Sequence, residues 1–295
     1  MKTTITIQLA GFTCQFVDFG NQSGYDNWKW KLDPYLCPAD AQPLLQIDSL
    51  CNKGHDSQLP DNMELLKETP AGFYSHKVYQ QGDRLIWTYE DAKSHKRELA
   101  YDFSLKENRI TLLEDHTNSA RTLALEYLGN LMVPFLLKEG IMTFHAVLME
   151  YKGEGIIISA DSGTGKTTHA RLWRDTKNAL IINGDRATVR KEADEYMAYG
   201  LPWSGTSGEQ VNRRVPLKAL VILERGPVNN AQVMTGFDAF ELAMPHLQVP
   251  AWELSLSEKG IDLLLELLEQ IPVIRLQCRP DEEAVETLAH ALQLL

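Results

Sequence analysis

The sequence predicts an α/β protein in two parts: a phosphate-binding-loop unit built on a mixed sheet, preceded by a β-rich N-terminal unit. Three observations predict it. Residues 155–185 read as strand, small-residue loop, helix, strand and acid. Residues 1–118 hold many short runs of β-branched and aromatic residues punctuated by turn formers. Near residue 119 the apolar period changes from that of a strand to that of a helix. The expected units are therefore 1–118 and 119–295.

Composition sets the outer limits. A chain of 295 residues that is 44 % hydrophobic can bury a sizeable core. A net charge of −11 excludes a protein that coats nucleic acid, which needs clustered Lys and Arg. No apolar run approaches the roughly 20 residues that span a bilayer. Cys14, Cys37, Cys51 and Cys278 form no CxxC pair. With no secretory segment at the start, reduced thiols and a cytoplasmic location are expected.

Along the chain, residues 3–8 and 11–19 read as strands. Residues 21–42, rich in Gly, Asn, Asp and Pro, read as an irregular connection. Residues 44–50, 72–80, 84–89, 98–103 and 109–113 read as further strands, with 55–63 turn-like. Together they suggest an antiparallel β unit, packed by Trp28, Trp30 and Trp87 or using those rings to receive a peptide. Leu123, Leu125, Tyr127, Leu128, Leu131 and Met132 then recur at helical spacing. Ser119 is the expected N-cap, and Pro134 should kink or end the helix.

Residues 141–151 form an expected strand, and 152–155 a tight turn into the next. This makes the phosphate-loop strand the antiparallel neighbour of its predecessor, unlike the parallel arrangement of most phosphate-loop folds. Beyond the loop, 187–191 and 195–198 suggest a hairpin, 200–208 (GLPWSGTSG) a loop, 217–224 and 271–277 strands, and 237–244, 258–268 and 282–294 helices.

The chemistry of the loop follows from its residues. Triphosphate oxygens are large and negative, so the backbone must approach closely and turn its N–H groups inward. Gly163 and Gly165 permit that approach, and Ser162, Thr164 and Thr168 complete the cradle with Lys166 and Thr167. Lys166 reaches for the β- and γ-phosphates, the Thr167 hydroxyl for Mg²⁺, and Asp185 for the same metal. The expected ligands are thus ATP and Mg²⁺. Ala160 stands where glycine usually opens the pattern, which requires a negative φ there. A small-residue turn that happens to contain GKT would look the same in isolation; the flanking strand and the acid argue for nucleotide.

Residues 120–295 resemble the catalytic domain of HPr kinase/phosphorylase, itself similar to the nucleotide-binding region of phosphoenolpyruvate carboxykinases. TFHAVLMEYKGEGIIISADSGTGKTTHARLW, IINGDRATVR, YGLPWSGTSGE, VPLKALVILERG and IPVIRLQCRPDEEAVETL carry the resemblance. It implies a kinase domain that transfers phosphoryl to a hydroxyl, with serine as the family analogy, and His145 near the transferred group. His145 stands 21 residues before Lys166, the spacing the family uses. The family carries two adjacent acids after the second strand; here the pair is Gly184-Asp185, so only one carboxylate is present. Asp185 then serves metal, acceptor hydroxyl or both, and Glu209 is the candidate second acid at the metal. Arg275 and Arg279 resemble basic residues that meet phosphate or substrate in relatives. The acceptor is an unnamed protein, peptide or small molecule, and a homo-oligomer is an expectation by analogy. A nucleotide-binding regulator without transfer activity and a peptide-binding module are the alternatives.

Overall fold

The alternating runs of the first 115 residues pair into one eight-stranded sheet. Its strands are β1 (Thr4–Leu9), β2 (Phe12–Val17), β3 (Leu45–Ser49), β4 (Glu64–Ala71), β5 (Tyr74–Gln81), β6 (Arg84–Asp91), β7 (Arg97–Ser104) and β8 (Arg109–Asp115), in the order β1-β2-β3-β8-β7-β6-β5-β4. The computed structural model describes residues 4–17, 25–38, 41–49, 62–115 and 121–293. Cys51, Ser119 and most of the 55–63 turn lie outside them. Contacts divide the chain into Met1–Phe135 with Ala251–Leu254, and Leu136–Pro250 with Ser255–Leu295. The break thus falls later than the expected 118/119, inside the helix that follows the sheet.

Three expectations for the N-terminal unit need correction. The sheet is mixed: β3 runs parallel to both β2 and β8. Long connections, from Val17 to Leu45 and from Ser49 to Arg109, make those crossovers sterically open. The stretch read as irregular contains helix α1 (Tyr25–Leu32). Trp28, Leu32 and Tyr35 recur at helical spacing there and are all buried, a signal hidden by the Asn, Asp and Pro around them. Trp30 does not pack inward; it is 57 % exposed. β4 went unread because almost none of its side chains is buried, so it has no apolar alternation.

α2 (Arg121–Lys138) continues past Pro134 rather than ending there. Proline removes one backbone hydrogen bond, which costs roughly 3 kcal/mol in an isolated helix. Here Leu131, Met132, Val133, Phe135, Leu136 and Leu137 are all buried. Burial all round the helix, at about 1.5–3 kcal/mol per large apolar side chain, outweighs that loss.

The second unit comprises β9 (Ile141–Tyr151), β10 (Glu154–Ser159), α3 (Lys166–Lys177), β11 (Leu180–Asn183), β12 (Arg186–Glu192), β13 (Glu195–Tyr199), β14 (Arg214–Arg225), β15 (Asn230–Met234), α4 (Gly236–Ala243), α5 (Leu254–Leu268), β16 (Val273–Cys278) and α6 (Glu282–Gln293). β9 and β10 are antiparallel neighbours, as the turn between them requires. β10 is also parallel to β14, which is parallel to β16. Two strands are long enough to serve two neighbours in succession. The first half of β9 pairs with β12 and the second half with β10 and β11. β14 passes likewise from β13 to β10 and β16. Hydrogen bonding therefore closes a ring, β10-β9-β12-β13-β14. A buried core of Ile156, Ile158, Trp173, Val221, Ile274, Leu276, Val285 and Leu288 fixes α3 and α6 on one face of the sheet.

One titration in the N-terminal sheet is testable. His76 stacks on Trp87 at 5.3 Å and meets the edge of Tyr127 at 5.0 Å, and its Nδ1 is buried without a hydrogen-bond partner. Burial lowers its pKa below the usual 6.5. The folded state therefore binds fewer protons than the unfolded chain below pH 6.5. Its stability contribution is present above 6.5 and is lost as pH falls through the lowered folded value. Thermal melts from pH 7.5 to 5 should show this loss, and His76→Phe should flatten it.

Candidate functional site

β10 ends at Ser159, whose hydroxyl donates to the His145 carbonyl at 2.7 Å, and the chain then turns through residues 160–165 into α3. The turn is closed by Thr164 N–H donating to the Asp161 carbonyl at 3.1 Å. Gly163 and Gly165 have φ of 77° and 126°, values that side chains with a Cβ avoid. Ala160 has the negative φ its side chain needs. Gly165 caps α3 with no side-chain hydrogen bond, and the first turn of α3 carries no acid. Its leading N–H groups are thus available to an anion. Lys166 Nζ donates to the Ala160 carbonyl at 2.9 Å, across the mouth of the loop. Burial lowers the Lys166 pKa, against the opposing charges of Asp185 and Asp161. Ser162 and Thr168 are exposed and Thr167 is half-buried.

His145 is the one exposed residue in an otherwise buried stretch of β9, at the point where the strand changes neighbours. Its register partner on one side is Arg186, while the next residue, Ala146, pairs with Ser159. The strands on either side diverge there and leave the imidazole open, with 47 % of its side chain exposed. Ala146 N–H donates to the Asp185 carbonyl at 2.9 Å, which sets Asp185 beside it. The Asp185 carboxylate lies 3.4 Å from His145 Nδ1 and 3.9 Å from the Arg186 guanidinium. Desolvation lowers the His145 pKa; Asp185 opposes that, and Lys166 and Arg186 add to it. His145 is accordingly neutral at neutral pH, able to accept a proton.

A buried amide holds this arrangement. Asn183 is fully buried; its Nδ2 donates to the carbonyls of Leu201 (2.9 Å) and Trp203 (3.0 Å). Its Oδ1 accepts from the backbone N–H of Asp185 (3.0 Å) and Arg186 (2.7 Å). The GLPWSG loop and the acid are thereby tied to one side chain. Gly184 packs directly on that loop: a Cβ there would sit 2.0 Å from Ser207 Oγ. Any side chain at 184 would displace Ser207.

With this geometry in view, comparison with known proteins gives a family. The model of the family described as SynChlorMet cassette protein ScmC matches residues 111–260, just over half of the chain. The chain belongs to the ScmC family. The matched span contains the glycine loop of residues 160–165, His145, Asn183 and Asp185. Among solved structures, the chain is similar to the Hpr(Ser) kinase/phosphatase from Coxiella burnetii, at 12 % identity and a TM-score of 0.30, over 52 % of this chain and 96 % of that one. No curated protein matches.

In this ScmC-family chain the structure brings together His145, Lys166 and Asp185 but not every predicted residue. Glu209 turns to α3, where its carboxylate accepts from Arg171 (3.4 Å) and Arg174 (3.2 Å). A role at a metal would require it to give up both arginines. Arg275 pairs with Glu224 at 3.3 Å, and Arg279 with Asp281 at 2.8 Å and Glu283. Trp203 is fully buried, its indole N–H without a hydrogen-bond partner.

Three contributors escaped sequence reasoning. Asn183 carries no motif signal of its own. Arg225, at the end of β14, donates to the carbonyls of Gly163 (2.6 Å) and Thr164 (3.2 Å) and so braces the loop. His246 follows α4 in a turn docked on β9, where Gln248 N–H donates to the Thr143 carbonyl at 2.8 Å. Burial lowers its pKa, and the charges of Asp161, Lys166 and His145 all act on it. Its turn thus packs on the strand that carries His145, although nothing in MPHLQVP announces it.

Two substitutions test this frame. Asn183→Ala strands buried carbonyl and N–H groups and should cost about 3 kcal/mol in denaturant melts. Gly184→Asp should lower the melting temperature, and Ser207→Gly in the same chain should recover part of the loss.

Proposed function

We propose that this chain is an ATP- and Mg²⁺-dependent kinase that transfers phosphoryl to a hydroxyl of a protein, peptide or small molecule. The observation that carries this reading is the convergence of the uncapped glycine loop, Lys166 and the His145–Asp185 pair on one cleft. The loop amides and the Lys166 ammonium bind and orient the triphosphate and oppose its charge. Thr167 and Asp185 offer the hard oxygen donors that Mg²⁺ takes beside phosphate oxygens and water, so the residues present fit the ion. When bound there, Mg²⁺ would supply further charge neutralisation at the transferring group.

The acceptor hydroxyl approaches His145 and Asp185. The bond from the γ-phosphorus to its bridging oxygen breaks, the bond to the acceptor oxygen forms, and the hydroxyl proton passes to the His145–Asp185 pair. With no side chain at Gly184, that pair combines work that two adjacent acids would otherwise divide. Serine as the acceptor rests on the sequence resemblance, as does a role for the N-terminal unit in recognising it.

A second reading, a nucleotide-binding regulator without transfer, draws on the space at Gly184 already filled by Ser207. Purified protein with radiolabelled ATP and Mg²⁺ separates the two. For the kinase, Lys166→Ala should weaken ATP binding at least tenfold. Asp185→Asn should cut phosphate release or transfer about a hundredfold, with the fold intact by circular dichroism. If the wild-type chain binds ATP but neither hydrolyses nor transfers it with extract fractions as acceptors, the regulator reading holds.

A further inference from the structure

Where β10 leaves β9, another segment takes its place. Alternate residues of a strand turn their carbonyls to the same edge, so Thr143 and His145 share one edge of β9. The His145 carbonyl accepts from the Ser159 hydroxyl at the end of β10 (2.7 Å), and the Thr143 carbonyl accepts from the Gln248 N–H (2.8 Å). β10 and then residues 247–248 therefore line that edge, while β12 lines the other. The changeover falls where β10 ends and the glycine loop begins.

This replacement places a second histidine. Leu247 forms an antiparallel bridge with Phe144. In that register the residue before Leu247 stands opposite the residue after Phe144, which sets His246 across from His145. Phe144 and Leu247 are buried, and the histidine beside each of them is not. Both imidazoles thus stand away from the core that Phe144 and Leu247 fill. His145 has Arg186 across from it on the β12 side, with the Asp185 carboxylate 3.4 Å away, and His246 on the other side. Electrostatics agree with this placement. Burial lowers the His246 pKa; Asp161 opposes that, and Lys166 and His145 add to it.

Phosphoryl transfer gives a second imidazole a task. The attacking oxygen must surrender its proton to one group while another holds it in line. The His145–Asp185 pair takes the proton. His246 is neutral at neutral pH, and a neutral imidazole carries one N–H donor. A hydroxyl oxygen can accept from that donor while it donates its own proton to His145.

We propose that His246 is a substrate-binding residue at the acceptor end of the cleft: its imidazole N–H donates to the attacking oxygen and holds it against His145. The inference rests on the phosphoryl-transfer reading given above and adds the residue that holds the acceptor.

Water serves as the acceptor in the test, read as phosphate released from Mg²⁺-ATP, with ATP affinity measured by calorimetry. His246→Phe keeps a ring and removes the donor. It should lower turnover at saturating ATP about tenfold, with ATP affinity within about twofold of wild type. His246→Gln restores a side-chain N–H and should stay within about threefold of the wild-type rate. Equal losses in the two variants, or no loss in either, would overturn the assignment while the phosphoryl-transfer reading stands. A fall in ATP affinity that matches the fall in rate would also overturn it, placing His246 with the nucleotide or the fold instead of the acceptor. If the wild-type chain binds ATP but releases no phosphate, the transfer reading fails and the inference falls with it.

Discussion

One buried amide underlies the site. Asn183 ends β11 and spends all four of its hydrogen-bonding positions on the backbone, two on the GLPWSG loop and two on the N–H groups of Asp185 and Arg186. The orientation of the amide is fixed by this pattern, since only carbonyls face one end and only N–H groups the other. The carboxylate of Asp185 owes its place to this bracket more than to the contacts it makes itself. The same tie draws the loop so close that Gly184 has no room for a side chain. A single side chain thus positions both the acid and the loop that packs on Gly184.

The second constraint is the ring of strands. Because β9 changes partners between His145 and Ala146, it opens a gap in an otherwise buried strand. The imidazole occupies that gap, beside Asp185 and within the electrostatic reach of Lys166. An isolated histidine on an apolar strand would ordinarily be packed and inert. Here the sheet topology exposes it at the cleft.

Much of this was legible in the sequence because it is local. The glycine loop, the lysine after it and the acid after the next apolar run sit within about thirty residues, and their placement between β10, α3 and β11 follows from that local pattern. The antiparallel β9–β10 pair followed from a four-residue turn. What was not legible depends on distant partners. Glu209 looked like a free acid until the fold set Arg171 and Arg174 against it. Arg225 braces the loop only because β14 lies beside β10. α1 was masked by turn-forming neighbours, and α2 outlasted Pro134 because burial around the helix outweighed a local preference. The parallel pairings of β3 depend on crossovers that no local pattern encodes.

In the proposed kinase, residues 160–168 and the Asn183-bracketed Asp185 would form a single triphosphate and metal site. The most direct measurement is a crystal structure with a non-hydrolysable ATP analogue and Mg²⁺. The account predicts the β- and γ-phosphates on the backbone amides of residues 163–168 and the ion between Thr167 and Asp185. A triphosphate bound away from that loop, or an ordered metal with Asp185 outside its coordination, would contradict it.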